Sequence, residues 1–312
     1  MSNHSPKTSL TSPDPPPSGA PTLCLGDAIV NLVCERPVAA VSDADAFVPH
    51  LGGAAATVAV IAARHGAHVA LAGGAGDDAW GGWVRERLGR EGVQTDWFEL
   101  VPAARTPVAL AAVDSEGEPS GSSYGGPIVG GLSDRVKDGV RASAGLFIRV
   151  CGPEEIEVTM RARELALSLE RPVVFAPRLC VARWRLRAEA AAAANACVPG
   201  ALLVCASAGD AALMTGEDDP ERAALALLKA GARMVVIRLG AFEGAILRGE
   251  LRLDVDGVPA SVISKIGAGD AFVGVLLARL AMSAFYPSAV AASMGEAMAE
   301  AASACERWGA LD

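Results

Sequence analysis

Short apolar runs that lack polar alternation place the strongest constraint on this chain. From Leu23 onward, runs such as HVALAGGAG, LFIRV, PVVFAP, ALLVCAS and RMVVIRL alternate with stretches of helical spacing such as AATVAVIAARHG and DPERAALALLKAG. A strand that is apolar on both faces is typical of a parallel sheet with helices on both sides. The alternation therefore predicts an α/β chain built on a mostly parallel sheet.

Two segments do not follow this alternation. Hairpin-like patterns near 32–48 and 106–125 predict a small sheet that projects from the main one and is placed to act as a lid. No internal repeat or second linker is visible, so we expect one domain over 22–312. Residues 1–21 are rich in Pro and Ser without an apolar core, which predicts a disordered tail rather than a signal peptide.

Charge and composition argue against several classes of partner. The net charge is −9 at pH 7 and the basic residues are scattered, so nucleic acid and anionic membranes would be repelled. No apolar run reaches the roughly 18 residues that span a bilayer. The seven cysteines form no C-x-x-C pair and the four histidines form no H-E-x-x-H motif. This usage predicts reduced thiols in a cytoplasmic protein and gives no support to a zinc site.

One strand-to-helix turn has the composition of an anion-binding loop. Gly267, Ala268 and Gly269 run into Asp270, where an apolar helical pattern opens. Small residues leave backbone N–H groups accessible at the positive end of the helix dipole, where they would stabilise a phosphoryl group. A carboxylate in the first turn could accept a proton from an attacking hydroxyl. An ordinary turn, in which Asp270 only complements the dipole, fits this stretch about equally well.

Other phosphate and nucleophile motifs have less support. No lysine follows a glycine, so there is no Walker A sequence, and no G-x-G-x-x-G is present. The stretch GSSYG matches the G-x-S-x-G nucleophile elbow with Ser123 at its centre. All four histidines precede Ser123, whereas an α/β-hydrolase needs its histidine after the serine. A hydrolase is therefore a remote alternative.

Three segments occur together in the order and spacing of a known family. GGAAATVAVIAARHG (52–66), GGAGDDAWGGWVRERLGREGV (73–93) and GAGDAFVGVLLARL (267–280) resemble the PfkB, or ribokinase-like, carbohydrate kinases. TPVALAAVDSEGE, LMTGE and LGAFEGAIL are similar to that family's intermediate blocks. The resemblance covers nearly all of 22–312. It implies a three-layer α/β/α sandwich with a small β-sheet lid, ATP and Mg²⁺ as cofactors, and transfer of the γ-phosphate to a sugar hydroxyl.

The resemblance also implies a role for each matching position. Asp270 would be the catalytic base, and Gly267, Ala268 and Gly269 would form the anion hole. The residues implied against the acceptor are Asp27, Asn31, Gly52, Gly53 and Thr57. Those implied along ATP are Ser207, Arg238, Gly240, Gly244 and Lys265, with Asp210 at the metal.

Several of these positions depart from the family pattern. The acceptor pocket has Asn31 where many relatives carry an acid, Thr57 in place of a sugar-binding Asn, and APRLC in place of D-P-N-x-R. Ser264 replaces an acid linked to a monovalent cation, which weakens the expectation of that ion. Asp210 replaces a Glu, so it could bind Mg²⁺ through water or cap a helix.

The departures add positive charge at Arg178, Arg238 and Lys265. These cations could replace part of the metal's charge around the phosphates, or form surface ion pairs worth under ~1 kcal/mol. Two functions therefore fit the sequence. One is an active kinase for a sugar or sugar-like acceptor, and the other is a catalytically weak relative that binds nucleotide or sugar as a regulator. Because relatives often pair through their lids, a homodimer through the lid is a further expectation.

Overall fold

The computed structural model describes residues 15–126, 128, 133–240 and 242–312. Residues 1–14 of the predicted tail lie outside this range. The end of that tail is a turn, in which the Ala20 N–H donates to the Pro17 carbonyl at 3.0 Å. His68 Nδ1 lies 2.7 Å from the carbonyl oxygen of Gly19, so this turn packs against the folded domain.

Thirteen strands and nine helices are assigned within the described residues. The strands are β1 (Thr22–Leu25), β2 (Ile29–Pro37), β3 (Val48–Gly52), β4 (Val69–Gly76), β5 (Phe98–Val101), β6 (Val108–Val113), β7 (Pro119–Tyr124), β8 (Gly145–Ile148), β9 (Val173–Phe175), β10 (Leu203–Ser207), β11 (Met234–Gly240), β12 (Gly244–Gly249) and β13 (Leu253–Val255). The helices are α1 (Ala54–Arg64), α2 (Ala79–Arg90), α3 (Ser133–Ala142), α4 (Ile156–Ser168), α5 (Arg187–Ala196), α6 (Ala208–Thr215), α7 (Pro220–Lys229), α8 (Ala268–Met282) and α9 (Ser288–Cys305).

The strands form two sheets. The large sheet has the order β13-β12-β11-β10-β9-β8-β1-β4-β5 and is parallel from β5 to β11, with β12 and β13 antiparallel at one edge. The small sheet has the order β3-β2-β6-β7, with β2 and β6 parallel. We call this small sheet the lid. The predicted α/β sandwich with a small separate sheet is confirmed.

The lid extends beyond the predicted bounds at its first hairpin. The segment predicted near 32–48 is too short, because β2 begins at Ile29 and β3 ends at Gly52. LCLGDAIVNLV has the pattern of one continued strand, but the chain changes sheets after β1. Asn31 consequently lies in the lid, opposite His50 of β3, rather than at the end of a strand of the large sheet.

Two helical layers cover the large sheet. Helices α1, α2, α8 and α9 bury their apolar residues against one face, and α3 to α7 bury theirs against the other. Helices α1 and α8 approach closely at Gly274, where a Cβ would lie 2.6 Å from the Ile61 side chain. This close packing fixes the first turn of α8 at the carboxyl edge of the sheet. Within the described residues, none of the helices combines the length and apolar character needed to cross a bilayer.

The start of α2 also supports the lid. Asp78 is the N-cap residue of α2 and accepts hydrogen bonds from the Gly81 N–H at 2.9 Å and the Thr106 hydroxyl at 2.6 Å. Asp78 therefore caps the helix that begins at Ala79. Since Thr106 leads directly into β6, the cap also ties the lid to the main domain.

Candidate active site

Three adjoining cavities lie at the carboxyl edge of the parallel strands. The lid cavity, of about 500 Å³, lies between the lid and the large sheet and includes Asp270 in its wall. The α8–α9 cavity, of about 240 Å³, is lined by Gly240, Gly269 and Met298. The junction cavity has a volume of about 250 Å³. It shares Arg149, Arg178 and Asp270 with the lid cavity. It shares residues 207, 238, 265 and 269 with the α8–α9 cavity. It therefore connects the lid cavity to the α8–α9 cavity.

The predicted anion-binding loop forms the start of α8. Gly267 is the N-cap residue with φ 76°, in the left-handed region, and the helix begins at Ala268 rather than at Asp270. A Cβ on Gly267 would lie 2.2 Å from the Ala310 Cβ, so a glycine is required there for both conformation and space. The first N–H groups of a helix have no intrahelical acceptor, so this turn presents donors to the cavities.

Asp270 has a cation beside it. Arg178 Nη1 donates to Asp270 Oδ2 at 3.2 Å, with 57% of the Arg178 side chain and 16% of the Asp270 side chain exposed. The Asp270 carboxylate raises the pKa of the Arg178 guanidinium. One of the two sequence interpretations expected an ion pair at Arg178, but its partner is the candidate base itself.

Lys265 connects the site to the lid. Its Nζ lies 2.5 Å from Glu118 Oε1, and its backbone N–H donates to the Gly117 carbonyl at 2.9 Å. Both contacts come from the turn between β6 and β7. Lys265 also lines the junction and α8–α9 cavities, so it lies where the lid meets the junction cavity.

Replacing Lys265 with Met is expected to raise the apparent KM for ATP several-fold, because a cation would be lost from the junction. Steady-state kinetics at saturating acceptor would measure this change. Glu118→Gln is the matched control, since it breaks the lid contact but keeps the ammonium group. Unchanged ATP kinetics in Lys265→Met would refute a phosphate role, and equal increases in both variants would assign the effect to the lid contact.

Asp210 lies at the start of α6. Its N–H donates to Ser207 Oγ at 3.0 Å, and the Ser207 hydroxyl donates to Asp210 Oδ2 at 2.8 Å. The Leu179 N–H donates to Asp210 Oδ1 at 3.2 Å. Burial raises the pKa of Asp210, against the effect of these hydrogen bonds and of the arginines nearby. The residue therefore takes part in helix capping, and it also lines the junction cavity, where metal binding stays a prediction.

The glycines predicted in the anion hole and along ATP differ in their surroundings. Gly269 leaves room for Arg238, because a Cβ there would lie 2.4 Å from Nη1 of that guanidinium. Gly240 lines the α8–α9 cavity. Gly244 lines none of the three cavities among the described residues, and a Cβ on it would lie 2.1 Å from the Val255 carbonyl oxygen. Its place at the start of β12, opposite Gly240 of β11 and with φ 100°, explains why a glycine is needed there.

Four of the five predicted acceptor residues line the lid cavity. Asn31, Gly53 and Thr57 line it, as does Asp27, whose Oδ2 accepts the Ile128 N–H at 2.7 Å. Gly52 does not line it; a Cβ there would lie 2.4 Å from Asn31 Nδ2. Its role in the described structure is to leave space for the asparagine.

The structure brings to the cavities one charged residue that the motifs did not identify. Arg149 follows β8 and lines both the lid and junction cavities. Its Nε is buried and has no hydrogen bond among the described residues. The available signal was a charged residue inside the apolar run LFIRV, at the carboxyl end of a parallel strand.

The hydrolase alternative is not supported by the geometry. Ser123 lies within β7, paired with Ala109 of β6, on an exposed strand of the lid. A nucleophile elbow requires a sharp turn between a strand and a helix. Ser123 instead contributes to the wall of the lid cavity.

A buried histidine joins the lid to the segment 309–312. His50 Nδ1 lies 2.6 Å from Asp312 Oδ2, and Nε2 lies 3.1 Å from Glu35 Oε1. Burial acts to lower the pKa of His50, but the two carboxylates outweigh it and the pKa is raised. Atoms of the three groups lie within 4.8 Å of one another, yet each ring nitrogen faces a different carboxylate. That arrangement fits a protonated imidazole better than a metal ligand.

This contact predicts a pH-dependent stability. The pKa of His50 is raised in the folded protein, so its ion pairs stabilise the fold fully below about pH 6.5, the ordinary pKa of histidine. This stabilisation is lost as the pH rises through the pKa that His50 has in the folded protein. The pKa of Asp312 is lowered, so its contribution is lost only as pH falls through the acidic range. The difference in unfolding free energy between wild type and the His50→Gln variant should be about 1 kcal/mol larger at pH 6 than at pH 9. Urea unfolding measures it, and a pH-independent difference would contradict the assignment.

Comparison with known proteins decides the family. A sequence model of the pfkB family carbohydrate kinases matches residues 22–307. The chain belongs to this family. The predicted family is confirmed, and the chain is a carbohydrate kinase by class.

Relatives of this kinase agree with that assignment. A probable fructokinase-4 from Arabidopsis thaliana is 26% identical over 262 residues, which is 82% of this chain and 80% of the relative. A fructokinase from Vibrio alginolyticus is 28% identical, with 83% of each chain covered.

Solved structures show the same fold. A fructokinase from Vibrio cholerae O395, bound to fructose, ADP and calcium, matches with a TM-score of 0.80 and 26% identity, covering 94% of this chain and 95% of that one. A putative ribokinase II from E. coli in its apo form matches with a TM-score of 0.84, 94% and 95% coverage and 19% identity. The second match shows the fold alone.

Proposed function

We propose that the chain transfers the γ-phosphate of ATP to a hydroxyl group of a sugar or sugar-like small molecule. The observation that carries this proposal is the position of Asp270, in the wall shared by the lid and junction cavities. A carboxylate there can reach an acceptor hydroxyl on one side and a phosphoryl group on the other. Family membership and the fructokinase names of the relatives support the same reaction.

The α8–α9 cavity would hold the nucleotide. Met298 and Ala301 supply an apolar wall suited to a base, whereas Ser207, Arg238 and Lys265 lead toward the junction. Polar and cationic groups therefore lie where the phosphates would be directed. The ADP in the structure of the Vibrio cholerae fructokinase supports a nucleotide donor for this chain as well.

The junction also has an acid that fits a divalent cation. Mg²⁺ prefers carboxylate oxygens, and Asp210 lines the junction with a carboxylate that the chain already holds in place. Asp210 would hold the ion, directly or through water. When bound, Mg²⁺ would neutralise part of the charge on the phosphates.

The chemical step follows from the start of α8. The acceptor oxygen forms a bond to the γ-phosphorus, its proton passes to Asp270, and the bond between that phosphorus and the bridging oxygen breaks to leave ADP. The N–H groups of the Gly267–Asp270 turn would stabilise the charge on the moving phosphoryl group. Arg178 would have to leave Asp270, or donate to it from the side, while the carboxylate accepts the proton.

The lid cavity suits an acceptor with several hydroxyls. Asn31, Thr57 and Ser123 supply neutral donors and acceptors, and Asp27 supplies an acid. Closure of the lid over this cavity would exclude water and limit hydrolysis of ATP. A homodimer through the lid stays a prediction, which sedimentation of the full chain would test.

One observation favours a second function. Because Arg178 pairs with Asp270, the base is engaged before any substrate is bound, as expected of a catalytically weak nucleotide- or sugar-binding regulator. Conversion of ATP to ADP with Mg²⁺, tested against sugars, sugar acids and nucleosides beside Asp270→Ala, separates the two. Acceptor-dependent turnover that the variant lacks supports the kinase. Nucleotide binding without turnover across the panel supports the regulator.

A further inference from the structure

We propose that Arg149 and Arg238 form a two-guanidinium clamp that binds the transferring phosphoryl group from opposite sides. The inference deepens the proposed function and rests on it. Arg238 would act from the nucleotide side and Arg149 from the acceptor side. Together they would select a nucleotide that carries a γ-phosphate.

The two arginines differ from the other cations of the junction cavity. Arg178 pairs with Asp270, and Lys265 pairs with Glu118. Arg149 and Arg238 have no carboxylate within ion-pair distance among the described residues. The Nε atom of each is buried without a hydrogen bond in that part of the chain. Both guanidinium groups therefore lie partly desolvated and outside any ion pair of the described residues, and Asp210 is an acid on which Arg238 acts at longer range.

Such an arrangement is costly unless an anion completes it. A buried charge is tolerated when it is paired and hydrogen-bonded, and removing it from water without a partner costs several kcal/mol. The junction cavity is lined by four cations and two acids, Asp210 and Asp270. Arg178 pairs with Asp270, and Lys265 pairs with Glu118 outside the cavity wall. Arg149 and Arg238 then face the single charge of Asp210, so one positive charge is left over. An anionic ligand is the partner that this balance requires.

The positions of the two arginines identify which anion it is. Arg149 follows β8 and Arg238 lies on β11, with β9 and β10 between them in the sheet. Strands are spaced by about 4.8 Å, so the two backbones stand roughly 14 Å apart on either side of the junction. Arg149 is shared with the lid cavity and Arg238 with the α8–α9 cavity. The group that passes between these two cavities is the phosphoryl group.

The clamp changes no bond in the transfer step. The acceptor oxygen–phosphorus bond forms, the bridging phosphorus–oxygen bond breaks with its electron pair on ADP, and the proton goes to Asp270. Arg149 and Arg238 keep their protons and donate to the three non-bridging oxygens. The planar fork of a guanidinium matches two oxygens of a phosphoryl group, and fixed donors there stabilise the transition state.

The test measures nucleotide affinity in the absence of acceptor. In Arg149→Met, calorimetry with Mg²⁺ should show ATP bound about tenfold or more weakly, while the Kd for ADP stays within about twofold. The melting temperature of the ligand-free variant should equal or exceed that of wild type, because an uncompensated charge has been removed. Arg149→Lys keeps the charge and should recover part of the ATP affinity, which also guards against a variant that fails to fold.

Arg163→Met is the matched control. Arg163 is a more deeply buried arginine than Arg149, and it donates to the backbone carbonyls of Cys197 and Pro199 in the opposite helical layer. Its loss should lower the melting temperature and leave the affinities for ATP and ADP unchanged. A melting temperature that falls only in Arg163→Met, together with an ATP affinity that falls only in Arg149→Met, separates a structural arginine from a binding one.

Several outcomes would overturn the clamp. Equal weakening of ATP and ADP would place Arg149 away from the γ-phosphate, and unchanged ATP affinity with a raised acceptor KM would assign it to an anionic acceptor. A fall in melting temperature without a change in affinity would make it structural. If no acceptor is phosphorylated but Arg149→Met still abolishes the preference for ATP over ADP, the clamp stands and the proposed kinase function fails. If wild type is active and Arg149→Met binds ATP normally, only the clamp fails.

Discussion

Asp270→Asn is expected to lower kcat for phosphorylation of the acceptor by about 10²–10⁴-fold, the range over which a positioned proton acceptor contributes. Asparagine has nearly the same shape as aspartate and can still accept a hydrogen bond from Arg178. It cannot take up the proton of the acceptor hydroxyl. The affinity for ATP, measured by calorimetry without acceptor, should change little, because the side chain acts on the chemical step.

Arg178→Met is the partner experiment. It removes the cation that lies 3.2 Å from Asp270 and leaves the carboxylate in place. An ion pair with an exposed arginine is worth at most about 1 kcal/mol, so kcat should change by less than roughly fivefold in either direction. An Asp270→Asn enzyme that keeps more than a tenth of wild-type kcat would contradict the assignment of the base. A large increase in kcat in Arg178→Met would instead identify the ion pair as an inhibitory contact.

The large sheet could be predicted because its strands are buried on both faces. Residues 69–76, 203–206 and 234–237 are continuous apolar runs, and a run of this kind has few alternatives in a chain that alternates with helices. The loop 267–270 was visible for a local reason, since its small residues and its carboxylate are adjacent in sequence. Both predictions rest on information contained in short stretches.

The contacts that distinguish this site depend on residues far apart in the chain. Arg178 and Asp270 are 92 positions apart, and Lys265 and Glu118 are 147 apart. No local pattern predicts such pairs, because the sheet topology decides which strand ends meet. Arg149 escaped detection for the same reason: it resembles any charged residue at the end of a strand until the junction cavity is known. The polar helix α3 and the short helix α6 were also missed, since neither has a long apolar stripe.

Gly267→Ala is expected to lower both stability and activity. At φ 76° an alanine carries a backbone strain of about 1–2 kcal/mol, and its Cβ would also lie 2.2 Å from the Ala310 Cβ. Relief of that contact must move either Ala310 or the first turn of α8, which carries Asp270. Urea unfolding should therefore show a loss of roughly 2–4 kcal/mol of unfolding free energy. We also expect kcat to fall by more than tenfold, because the anion hole and the base are displaced together.

Gly216→Ala separates strain from contact. Gly216 ends α6 with the same φ of 76°, and a Cβ there would meet no atom within 4 Å. The Gly216→Ala variant should lose only the unfolding free energy that backbone strain costs, about 1–2 kcal/mol, and its kcat should be unchanged. The additional loss in Gly267→Ala then measures the contact with Ala310, and the difference in kcat measures the placement of the loop. Equal losses of stability with wild-type kcat in both variants would mean that the geometry at Gly267 serves the fold and not the transfer of phosphate.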